Sequence, residues 1–156
     1  MLALFVRELA APYAVAKAGV EDGNQLRLSG EGEGGLQGGP PGDLYVVIHV
    51  KPHEIFIRRG ADLLCELPLT FPQAALGAEV EVPMLNGKGT LSVPAGTQPG
   101  EQLRLRGKGM PHLRGRGHGD AVYQVAIEVP ARLTARQREL LEEFQQISKD
   151  ESGPLL

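Results

Sequence analysis

Residues 18–32, AGVEDGNQLRLSGEG, return 77 positions later as residues 95–109, AGTQPGEQLRLRGKG. Gly19 and Gly96 fix the register, and without a gap it carries Gly42-Asp43 onto Gly119-Asp120. A chain that repeats itself at one offset is built from two related supersecondary units, whole or partial. Each copy opens on an Ala-Gly turn that closes at Gly23 or Gly100, before the tetrapeptide QLRL. Leu26 and Leu28 fall on one face and Gln25 and Arg27 on the other, the period of two of a half-buried strand. A glycine-rich loop follows, and Gly-Asp starts a second β-patterned run, residues 44–50 or 121–129. Leu44, Val46, Ile48 and Val50 share one face of the first run. Val125, Ile127 and Val129 share one face of the second.

More short strands are predicted between the copies. Residues 54–58 read EIFIR and residues 63–69 read LLCELPL, where Pro68 suggests an edge or a strand end. Residues 79–83, EVEVP, alternate strictly. Asn86-Gly87 is a hairpin turn signal, and residues 89–93 form the return strand. Residues 71–76 suit one helical turn. Strands at this spacing predict a mainly β fold of tandem β-sandwich units. The second unit, residues 57–130, holds all its strands. The first, residues 1–56, is incomplete, because only residues 1–17 stand where its upstream strands would be. Residues 1–11, MLALFVRELAA, suit a short amphipathic helix or a strand. They lack the basic start of a secretory signal.

A C-terminal helix is predicted within residues 131–150. Thr134 and Gln137 make a T-x-x-Q capping box. Leu140, Leu141, Phe144 and Ile147 recur on one face, and Ser152-Gly153-Pro154 stops any continuation. Periodicity leaves open whether that face packs on its own sandwich or on a partner.

Composition narrows the function. At 42% hydrophobic the chain of 156 residues can fold, yet no apolar run is long enough to span a bilayer. A net charge of −3 and 4% aromatics argue against nucleic-acid binding. The single cysteine, Cys65, excludes an internal disulfide and a cysteine-rich zinc site, and makes the cytoplasm the expected compartment. It lies in an apolar strand, where an inert buried thiol is expected. Gly30, Gly32 and Gly35 match G-x-G-x-x-G, but Glu31 and Glu33 would repel phosphate and a strand follows, so a β–β connection is expected. His112, His118 and Asp120 cluster in sequence, as do His49 and His53. Asp120 repeats Asp43, so both aspartates are read as turn residues, with metal binding the minor alternative. Arg104, Arg106, Lys108, Arg114 and Arg116 form a basic run, expected as a solvated face with an acidic-peptide or phosphate contact as the rival. No nucleophile–base spacing stands out; neither an enzyme nor a cofactor is expected.

Three blocks carry a family resemblance: GEGEGGLQGGPPGDLYVVIHVKPHEIF, then ALGAEVEVPMLNGKGTLSVPAGTQPGEQLRLRGKGMPHLRGRGHGD, then LTARQRELLEEF. In this order they resemble the carboxy-terminal region of the bacterial DnaJ co-chaperones, over residues 18–147. The resemblance implies tandem β-sandwich domains that bind unfolded polypeptide, a final helix that helps form a V-shaped homodimer, and a DnaK-type partner. The sequence has no His-Pro-Asp tripeptide and no Cys-x-x-Cys repeat, so a J domain and the family's zinc domain are not expected here. The strands carrying the family's main peptide groove are also missing. The expected function is binding of exposed apolar segments by strand addition and shallow pockets, with Leu67, Leu69 and Phe71 as candidate contacts beside Pro68. Leu140, Leu141, Phe144 and Ile147 are the candidate homodimer face. The rival is a structural dimerisation module that binds no client.

Overall fold

A computed structural model describes residues 17–152. The sequence repeat is a repeat of hydrogen bonds. In the first copy, strand β1 (Gln25–Leu28) pairs antiparallel with β2 (Leu44–Val47). The Gly23 amide donates to the Ile48 carbonyl at 2.8 Å, and the Ile48 amide to Asn24 at 2.8 Å. In the second copy, the Gly100 amide donates to Val125 at 2.7 Å and the Val125 amide to Glu101 at 2.9 Å. Asp43 accepts from the Gly30 amide at 3.1 Å and from Arg27 Nε at 2.7 Å. Its counterpart Asp120 accepts from the Gly107 amide at 3.0 Å and from Arg104 at 3.4 Å. The glycines of the loop allow its two limbs to touch. A Cβ at Gly32 would lie 2.6 Å from the Gly42 carbonyl carbon, and one at Gly109 would lie 2.6 Å from that of Gly119.

The second copy is embedded in a larger two-layer β structure. Between the copies run β3 (Ile57–Arg59), β4 (Asp62–Thr70), a short helix α1 (Phe71–Leu76), β5 (Ala78–Met84) and β6 (Gly87–Val93). Then come β7 (Gln102–Leu105), β8 (Ala121–Glu128) and the final helix α2 (Ala135–Ser152). One sheet has the order β3-β4-β8-β7, with β4 and β8 parallel; β5 and β6 form a separate hairpin. The two share one core. Leu63, Cys65, Leu67, Leu69, Tyr123 and Val125 meet Val82, Leu91 and Val93. Burying a leucine or valine side chain of this kind stabilises a fold by about 1.5–3 kcal/mol. Tyr123 crosses the layers and donates its hydroxyl to the Pro83 carbonyl at 2.7 Å. The fold is thus mainly β with one C-terminal helix, as the periodicity predicted.

Several local boundaries differ from expectation. The predicted strand at 54–58 is displaced: His53 Nδ1 accepts from the amides of Ile55 at 3.1 Å and Phe56 at 3.3 Å. That bend takes residues 54–55 out of the ladder and turns Phe56 into the core, so β3 begins at Ile57. Of the run at 44–50, strand β2 covers Leu44–Val47, and Ile48 extends the pairing through its bonds with Gly23 and Asn24. Pro68 does not mark an edge strand, because β4 lies between β3 and β8. It does mark an open stretch. β3 covers only Asp62, Leu63 and Leu64 of β4. The Leu63 amide donates toward β8, so Glu66 and Pro68, one register out, present their peptide groups to the uncovered side. The amide that proline lacks would have had no ladder partner there. The readings of residues 1–11 as a helix or strand, and of the first unit as incomplete at residues 1–17, rest on residues 1–16, which lie outside the described residues.

Candidate functional site

The outward and inward faces of β4 sort the predicted peptide contacts. Leu67 is 6% exposed and Leu69 1%, because odd-numbered β4 residues face the β5–β6 layer. Both therefore belong to the core. Phe71, at the start of α1, is 44% exposed and meets Phe144 of α2 edge-on, with ring centroids 5.8 Å apart. Thr70 and Gln73 cap α1 reciprocally, the same box that Thr134 and Gln137 make on α2, and the sequence reading missed the first of them.

The apolar surface lies one residue out of phase with the predicted contacts. His53, Ile55, Ile57, Leu64, Glu66 and Ala126 line an open hollow of about 350 Å³ beside the uncovered part of β4. Ile55 and Ile57 are both more than half exposed. The alternation of LLCELPL held the signal, since it puts Leu64 and Glu66 opposite Leu63, Cys65, Leu67 and Leu69. A second cleft, of about 470 Å³, includes Val50, Pro52, Phe56, Leu63, Leu85 and Met110 in its lining. Arg58 borders it and ties the second unit to the first-copy turn, donating to the carbonyls of Val20 and of Gly19, the latter at 2.8 Å. The Glu21 carboxylate stands 3.7 Å from the same guanidinium.

Helix α2 presents a different kind of surface. Leu140, Leu141, Phe144 and Ile147 are all exposed, and no side chain from 135 to 149 is buried. A short helix draws most of its stability from packing an apolar face. Here Phe144 of that face meets the Phe71 ring edge-on, and among the described residues the face stays exposed.

The remaining motifs have structural places. After Gly30, Gly32 and Gly35 comes a three-residue 3-10 turn, Leu36–Gly38, and then β2, so no helix end faces that loop. Asp43 and Asp120 hold turns. Nδ1 of His53 is occupied by backbone amides, and His49 lies 3.5 Å from Asp22. Among the described residues, no three His, Cys, Asp or Glu side chains gather to hold a metal ion. Cys65 is buried; burial, and secondarily the Glu66 charge, pushes its thiol pKa up, away from the reactive thiolate.

Among the described residues, fold and surface together describe a mainly β scaffold that presents an open strand edge, an apolar hollow and an exposed apolar helix face. The DnaJ C-terminal domain family matches residues 15–130, and the chain belongs to that family, which is not a family of enzymes. It is 56% identical to the chaperone protein DnaJ of Geobacillus sp. (strain WCH70) over 139 residues, which is 88% of this chain and 37% of the relative. It is 58% identical to that of Halalkalibacterium halodurans over 84% of this chain and 35% of the relative. Against that of Rhizobium meliloti it is 56% identical over 88% and 36% respectively. The chain thus spans little more than a third of the length of these relatives.

Proposed function

We propose that this chain binds exposed apolar segments of unfolded polypeptides and does so as a homodimer joined through α2. One observation carries the reading: among the described residues no strand pairs with the β3-side edge of β4 at Glu66 and Pro68, which runs beside the exposed side chains of Ile55 and Ile57. An extended client would add to that edge through its backbone and seat alternate side chains in the hollow. Of the contacts expected from sequence, Phe71 remains on the accessible surface, while Leu67 and Leu69 support the strand from behind. Membership of the DnaJ C-terminal family supports a co-chaperone role in protein folding, with a DnaK-type chaperone as the wider partner. The role operates in the cytoplasm, without cofactor, nucleic acid or membrane. No helix of the described residues is long and apolar enough to cross a membrane.

The test is suppression of aggregation of a chemically denatured client. The wild-type chain should suppress it, and Ile57→Asp should lose most of that effect while keeping its sheet dichroism, because Ile57 is exposed. A second reading, a dimerisation module without client binding, rests on the uncovered face of α2. It wins if the wild-type chain dimerises yet leaves client aggregation unchanged.

A further inference from the structure

The loop between β7 and β8 is a built hairpin with charge at its tip. Pro111 and His118 pair as an antiparallel bridge, and the His112 amide donates to Gly117 at 3.1 Å. At its base the Met110 amide donates to Ala61 at 2.7 Å, and a Cβ at Gly119 would lie only 2.2 Å from that same carbonyl oxygen. Gly107, Gly115 and Gly117 all have positive φ, which sets the turns. From this base Arg106, Lys108, Arg114 and Arg116 project into solvent. Arg104 is engaged with Asp120 and Asp62. None of the other four has a carboxylate within ion-pair distance among the described residues.

The hairpin does not need these charges. The first copy builds the same closure, with Gly32 donating to Gly42 at 2.8 Å as Gly109 does to Gly119 at 2.8 Å. Yet Ser29, Glu31, Gln37 and Gly39 stand where the second copy has Arg106, Lys108, Arg114 and Arg116. The cations are thus a property added to one copy of a shared scaffold. Clustered like charges repel one another, so four of them on one rigid loop are a cost until a counter-charge arrives.

We propose that the 106–118 hairpin is a docking site for a carboxylate-rich peptide segment, distinct from the apolar edge on β4 and independent of it. Peptide is favoured over nucleic acid on two grounds. Residues 106–118 contain no Phe, Tyr or Trp on which a base could stack, and the chain as a whole is net −3. A long polyanion would meet repulsion beyond the loop, whereas a short acidic segment would not.

The probe is a short fluorescein-labelled oligoglutamate, titrated by anisotropy into the full chain. It should bind, and added salt should weaken binding. Replacing Arg114→Gln and Arg116→Gln together should lower affinity roughly tenfold, the combined size of two exposed charge contacts. Arg114→Lys with Arg116→Lys should retain most of it. Far-UV dichroism should match wild type in both, and Lys108→Gln gives a second variant should the arginine pair fail to fold. Absence of oligoglutamate binding, indifference to both glutamine variants, or equal loss in the lysine and glutamine pairs would overturn the proposal. Tighter binding of a labelled oligothymidylate of equal charge would also overturn it, in favour of nucleic acid.

Discussion

Tyr123 is the residue on which the two layers of the fold meet. Its ring is fully buried and its hydroxyl donates to Pro83, so Tyr123→Phe keeps the shape and strands a carbonyl. The expected cost is about 1–3 kcal/mol, seen as a lower urea midpoint with an unchanged slope. Tyr123 and Cys65 also give the fold an alkaline limit. Burial, as the first cause, pushes both pKa values up, with the charges of Glu66 on Cys65 and of Cys65 on Tyr123 acting second. Both groups are neutral in the folded state and ionise more readily once unfolded. The stability this represents is full below the unfolded values and is lost as pH rises past them. Urea midpoints should therefore hold near neutral pH and fall from about pH 8.5 upward. Cys65→Ala should delay the onset of that fall toward the range of a free phenol, whatever it does to stability at pH 7.

At the scale of the element, α2 separates what one sequence shows from what it hides. Its capping box, its start and its apolar stripe were legible because each depends on spacing within one turn or two. Thr134→Ala should cost the helix about 1 kcal/mol, read as helical dichroism on mild heating. The register of β4 was legible too, yet not that the expected contacts Leu67 and Leu69 face the core. A single strand's alternation names two faces, and only the β5–β6 layer decides which is inside. The parallel pairing of β4 with β8 left no local trace, since their partners are far apart in sequence. Nor did the bend at His53, which comes from a side chain taking two backbone amides. If α2 joins two subunits, Phe144 becomes a buried aromatic, and Phe144→Ala removes about 3–5 kcal/mol per site. Sedimentation velocity should then show dissociation at micromolar concentration, with the sheet signal intact. A variant that keeps its mass but loses its sheet would place the helix within its own subunit instead.

Across the whole molecule, Arg58 joins the two copies. It holds the carbonyls of Gly19 and Val20 from a strand of the larger sheet, while β1 and β2 make a two-stranded ribbon among the described residues. A ribbon of two strands is marginal alone. Arg58→Ala should accordingly speed amide hydrogen exchange at Leu26 and Val46 and leave Val82 and Tyr123 as slow as before. The β4–β8 pairing has a consequence of another kind, in time. Asp62 and Asp120, bonded at the mouth of that pairing, are 58 residues apart, and everything between them must be threaded before the sheet can close. On a ribosome β4 emerges long before β8, and waits with the edge that β8 will take unpaired and its apolar residues incompletely covered, while only the local pairings β1–β2, β3–β4 and β5–β6 can form. The chain is then itself an unfolded polypeptide with an exposed apolar segment. Non-local pairing of this sort refolds in milliseconds to seconds, not microseconds. The newborn chain should accordingly be slow to acquire protease resistance until β8 has cleared the exit tunnel, and should meet during that interval the hazard that its family exists to manage.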